Sequence, residues 1–202
     1  TYNGFMNTNT LNQYVSHRQS ILGGSHNVVK VDIEQLYHQF GWGIDKHPQA
    51  VRSFIKYIQA NWTIEPKYLF IVGKGREYAE FWNNASARAA CLVPTFGNPG
   101  SDVLLAADTM SSAPNIAIGR LAARQESDIQ IYLDKIIEYD QQFYNVGDPY
   151  QTVANKIFMK NLVHLSGGIN AQEQSTFKNY LLSYENTAKD TLWGVKVESI
   201  NK

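Results

Sequence analysis

Apolar positions along the chain recur at helical spacing in several stretches and condense into short continuous runs between them. Leu11, Tyr14, Val15, Arg18, Ile21 and Leu22 predict a helix from Thr10 to Leu22, with caps offered by Asn7 to Asn9 and a stop at Gly23-Gly24. Asn27 to Asp32 is short and rich in β-branched residues, which predicts a strand, and it leads into a helical spacing over Ile33 to Phe40. After the Gly41-Trp42-Gly43 break, Pro48 suits a first helical turn, and Val51, Phe54, Ile55 and Ile58 mark a buried stripe that ends before Pro66.

Lys67 to Val72 is an apolar run closed by Gly73, the pattern of a strand covered on both faces in a parallel sheet. Leu92-Val93-Pro94 and Asn115 to Leu121 read as two further strands, separated by a loop with Gly97, Pro99, Gly100 and Pro114. From Glu126 to Tyr144 the positions Ile129, Leu133, Ile136, Ile137 and Phe143 predict a long helix, with acidic residues in its first turn where the helix dipole favours them. Beyond Gly147-Asp148-Pro149, Asn161 to Ser166 reads as a strand, Phe177, Tyr180, Leu181 and Tyr184 as a helix, and Val195 to Ile200 as a last strand.

Strands alternating with helices predict an α/β fold in three layers, with a mostly parallel sheet and helices on both faces. The stretch Tyr144 to Tyr150 is the one joint where a subdomain boundary fits, dividing residues 1–146 from 147–202, unless the whole is one continuous domain. No internal repeat or low-complexity tract interrupts the pattern.

Composition narrows the partners. Of 202 residues, 18 are basic and 18 acidic, so no global field points to nucleic acid or an anionic membrane surface. The longest apolar runs fall far short of the ~20 residues that span a bilayer. Cys91 is the one cysteine, which excludes an internal disulfide and a cysteine-based zinc site. The opening Thr1-Tyr2-Asn3-Gly4 reads as the middle of a connection, as if a longer precursor had been trimmed.

Candidate chemistry is sparse. Gly73-Lys74-Gly75-Arg76 follows a strand, but its spacing fits neither a Walker loop nor a dinucleotide fingerprint and reads as a structural turn. Ser166, before Gly167-Gly168, stands at the carboxyl end of a parallel strand, where open α/β sheets place ligands. It lacks the spacing of a nucleophile elbow, and His164, two residues away, is the nearest base in sequence. Cys91 reads as a small buried group with no activating neighbour in sequence. The histidines at 17, 26, 38, 47 and 164 lack paired ligand spacing, and Asp102 and Asp108 are too sparse for a calcium loop, so neither metal nor cofactor is expected. Tyr78, Phe81 and Trp82 lie close together and read as core rather than as a carbohydrate or nucleic-acid platform.

The order of several segments resembles the gingipain family of cysteine peptidases, which includes the sortase-like proteases of type IX secretion. The segments are Val31 to Phe40, Pro48 to Tyr57 and Tyr68 to Gly73, then Val93-Pro94-Thr95-Phe96, Ser101-Asp102, Asn115 to Leu121 and Leu133 to Tyr139. The resemblance implies a caspase-like fold of two subdomains, with a catalytic histidine in a His-Gly motif and a later cysteine. Neither motif is present, Cys91 does not match the family nucleophile, and Val195 to Lys202 resembles the strand just upstream of the missing His-Gly segment. Ser166 resembles the position of an acidic residue that assists the catalytic histidine, and Lys74 and Arg76 stand where relatives carry an acid.

The resemblance therefore implies the N-terminal portion of an exported bacterial endopeptidase, extracytoplasmic and acting on proteins or peptides. It would form sheet and cleft wall, be inactive alone, and have the missing C-terminal half as its partner. Two alternatives stay open: a non-catalytic interaction or scaffold module, and a small-molecule enzyme using the Gly73 and Gly168 turns as an anion site.

Overall fold

A computed structural model describes residues 1–108, 111, 113–146, 152–190 and 192–202. The chain forms two compact units, 1–141 and 142–202. Residues 147–150 of the expected joint lie outside the described residues.

The first unit is built on two parallel strands, β1 (Tyr68–Val72) and β2 (Ala117–Leu121), in register from Tyr68 opposite Ala117 to Val72 opposite Leu121. Side chains of a strand alternate between faces, and both faces of β1 are covered. Leu69 and Ile71 pack with α2 (Ile33–Phe40) and α3 (Gln49–Asn61) through Ile33, Leu36, Val51, Ile55 and Ile58. Phe70 and Val72 pack with α1 (Asn9–Gln19) and α6 (Glu126–Val146) through Leu11, Tyr14, Ile129 and Leu133. This is the three-layer α/β arrangement that the continuous apolar run of β1 predicts. Burying each such Leu, Ile or Phe stabilises the fold by about 1.5–3 kcal/mol.

Polar contacts set how the helices sit. Thr8 caps α1 by accepting from Leu11 N, and Asp32 caps α2 by accepting from Glu34 N. Thr10 Oγ1 donates to Glu126 Oε1 at 2.8 Å, and His17 Nε2 lies 2.8 Å from Asp140 Oδ2, so α1 is held on α6 at both ends. Helix α1 stops at Gln19, short of the expected Leu22. Ser20 turns the chain by donating its hydroxyl to His17 O, and Ile21, which continues the helical spacing in the sequence, is 81% exposed.

Two expected strands are absent. Residues 27–32 run without regular structure; Val31 O accepts from the Thr1 amino group and the next residue, Ile33, donates its N–H to Thr1 O, but no ladder forms. Leu92 N and Val93 N both donate to one acceptor, Lys74 O, and Pro94 has no N–H, so no ladder can propagate there. Between β1 and β2 the chain instead forms two short helices, α4 (Tyr78–Phe81) and α5 (Ala85–Ala90).

The second unit holds α7 (Val153–Lys156), β3 (Asn161–Ser166), α8 (Ala171–Ala188) and β4 (Lys196–Asn201). Strands β3 and β4 are parallel, from Asn161 opposite Lys196 to Ser166 opposite Asn201, and α8 packs on both. Among the described residues no helix is long and apolar enough to cross a membrane.

Candidate functional site

Ligands in parallel α/β sheets gather at the carboxyl ends of the strands, so the ends of β1 and β3 are where chemistry should appear. At the end of β1, Gly73 N and Lys74 N donate to Leu121 O and Ala123 O, which occupies the amides a phosphate would need. Backbone carbonyls converge there instead. Arg120 Nη1 donates to Gly73 O at 2.7 Å and to Val93 O at 2.8 Å, and its guanidinium forms a two-pronged pair with Asp102 at 2.7 Å. A side chain at Gly75 would meet Thr95 and that guanidinium at 2.9–3.1 Å. The turn is thus shaped around a mostly buried arginine, and Lys74 and Arg76 are placed by it.

At the end of β3, Ser166 Oγ donates to Asn201 Oδ1 at 2.7 Å, and Ser166 O accepts from Lys202 N, fastening β3 to β4. Asn201 offers an amide oxygen, which cannot act as the base that a nucleophilic hydroxyl requires. His164 shares the strand face of Ser166 but is buried, and its Nδ1 has no hydrogen-bond partner. No hydrogen bond joins the two among the described residues. Gly168 is held bare by Gln174 N, 2.8 Å from where a Cβ would sit, as the chain turns into α8. There Asn170 accepts from Glu173 N while Glu173 accepts from Ile169 N, a reciprocal cap.

Cys91 closes α5 and is fully buried. Burial pushes its thiol above the usual range, against the smaller opposing pull of a backbone hydrogen bond at Arg76. The thiolate is therefore disfavoured where a nucleophile would need it. Among the described residues no three His, Cys, Asp or Glu side chains gather into a metal site.

Sequence reasoning missed one feature of the first unit, a cleft of about 890 Å³ between the α2–α3 loop, α4, α5 and the loop at Phe96. Phe81 is buried as expected, but its neighbours Tyr78 and Trp82 are exposed along this cleft. The three rings stay together, Tyr78 lying 5.3 Å from both Phe81 and Trp82, as i, i+3 and i+4 positions do, but only Phe81 reaches the core.

A family model described as Peptidase family C25 matches residues 2–199, nearly the whole chain. The chain belongs to peptidase family C25, the gingipain family. No curated protein and no solved structure gives a significant match. The parallel α/β architecture agrees with the caspase-like fold that the resemblance implied. Within this C25 chain no histidine is followed by glycine, and the sole cysteine is the buried Cys91.

Proposed function

We propose that residues 1–202 supply sheet and cleft wall to a C25 cysteine endopeptidase whose catalytic histidine and cysteine come from sequence outside this segment. The observation carrying this is the family match over residues 2–199 in a chain whose one thiol is buried and disfavoured as thiolate. In the complete enzyme a histidine would deprotonate the cysteine, and preorganised N–H groups would stabilise the tetrahedral oxyanion. Substrates are proteins or peptides, and family membership favours an extracytoplasmic site of action. A boundary at 146/147 would give that fold its two subdomains, close to the division of the compact units at 141/142.

Ser166 stands where the family places an acid that assists the histidine. A neutral hydroxyl engaged with Asn201 can orient a neighbour but carries no charge to stabilise an imidazolium. Ser166→Ala in the complete enzyme should lower kcat/KM by less than about tenfold, well short of the ~10²–10⁴ carried by a general acid–base group. A larger loss would give Ser166 a direct catalytic part.

The same serine favours a second reading, a non-catalytic interaction module that keeps the fold. The protein made from the whole gene separates the two. Hydrolysis of a peptide library, abolished by replacing a cysteine outside residues 1–202, supports the peptidase, whereas no turnover and no reactive thiol support the module.

A further inference from the structure

The cleft in the first unit has a composition that neither the family nor the strand-end chemistry explains. Three aromatic side chains face solvent along it, Trp42 at 75% exposure, Trp82 at 64% and Tyr78 at 45%, with the Phe96 ring beside them. Large apolar groups gathered at a concave surface mark a place where something binds.

The walls are set in advance. Trp42 and Lys46 hold positive φ values of 55° and 58°, which bulky or branched-chain backbones rarely adopt and which persist only where the surroundings impose them. Asp45 pairs with Arg88 at 3.0 Å and Lys46 Nζ donates to Arg88 O, fastening the α2–α3 loop to α5. Trp42 stands edge-on to His47 at 5.4 Å, and Tyr78 lies 5.3 Å from Trp82. Behind the Phe96 ring lies the buried guanidinium of Arg52, 4.2 Å from the ring centroid.

We infer that this cleft binds an extended, proline-containing acidic peptide segment. Three observations select that occupant. None of β1 to β4 lines the cleft, and the one bridged position there, Phe96, already pairs with Ser101, so a peptide finds no sheet edge to extend and is held through its side chains and carbonyls. Polyproline II chains suit such a surface, because their rings lie against aromatic faces and their unpaired carbonyls can accept from indole N–H groups. Among the described residues, neither the Trp42 nor the Trp82 indole N–H is in a hydrogen bond. Finally, the lining carries two cations, Lys46 and Arg88, and one acid, Asp45, which Arg88 pairs, so the charge of Lys46, held on Arg88 O, is in excess and favours glutamate or aspartate next to the prolines. The segment would belong to a protein substrate, a role resting on the peptidase reading, but binding itself requires no cleavage.

Binding to the 202-residue chain is measured by calorimetry and by tryptophan fluorescence, with acetylated and amidated (Pro-Pro-Glu)₄ as probe. The controls are (Gly-Ser-Glu)₄, (Pro-Pro-Lys)₄ and cellohexaose. Saturable binding of the first probe alone is expected, weakened at least about tenfold by Trp82→Ala, less by Trp42→Phe, and not by Trp193→Ala in the second unit. Circular dichroism melts matched to the parent chain show that the variants fold, and Trp82→Phe replaces Trp82→Ala if they do not match. Absent binding, equal affinity for the Gly-Ser or Lys peptide, preference for the oligosaccharide, or insensitivity to Trp82 would each overturn the inference. Since no turnover is read, failure of the peptidase reading would leave a positive result standing.

Discussion

Arg120 shows how one side chain can organise the end of a sheet. Its guanidinium spans the β1 turn, the Val93–Pro94 segment and Asp102, and only 9% of the side chain is exposed. A desolvated cation of this kind is costly once its partner is removed. Asp102→Asn should therefore destabilise the chain by about 2–4 kcal/mol in urea unfolding, and a loss under ~0.5 kcal/mol would show the pair to be solvated. Cys91 gives the complementary case, a potentially reactive group kept inert by burial. Iodoacetamide at neutral pH should leave it unmodified in the folded chain and modify it fully in denaturant; rapid labelling of the native protein would remove the structural assignment. That Cys91 is core was legible from its neighbours in sequence. The use of Arg120 was not, because its acceptors lie 18 to 47 residues away and most are backbone carbonyls.

Among the elements, the long helix α6 is legible in the sequence almost to its ends, since its stripe is continuous and its first turn carries Glu126 and Asp128. Asp128 accepts from Arg124 N at 2.8 Å and Gln125 N at 3.3 Å, and these N–H groups, that of Arg124 foremost, hold its carboxyl below the usual 3.8. A depressed folded value means that the ionised cap stabilises the helix above pH ~3.8 and is lost as pH falls through the folded value. Asp128→Asn should thus lower Tm near pH 6 but make no difference at the acid end, and an equal drop at both would refute the charge-based cap. Residues 27–32 and 92–94 carry strand-like composition, β-branched in the first and apolar in the second, but composition cannot reveal whether a partner lies alongside. Val31 O accepts from the Thr1 amino group, and Leu92 and Val93 share the one acceptor Lys74 O, so neither segment forms a ladder. Helices α4 and α5 were invisible because one or two turns carry too little periodicity.

For the whole molecule, alternation of apolar runs and helical stripes was enough to give the α/β class, parallel pairing and helices on both faces of β1. The ends of the strands were legible as places, through Gly73 and Ser166-Gly167-Gly168, but what they do depends on contacts between segments distant in sequence. The aromatic cleft was hidden for the same reason, since its lining comes from four separate stretches between residues 42 and 97. In the second unit the outer face of β3 leaves Val163 and Leu165 exposed, the latter at 72%, a surface that parallel sheets normally cover. On the reading proposed above, this chain carries the C25 fold and no working nucleophile of its own. Incubating the purified 202-residue chain and its Cys91→Ala and Ser166→Ala variants with a fluorogenic peptide library checks this. All three should give the same background rate; turnover by the parent chain that either substitution abolishes would place a working nucleophile within residues 1–202.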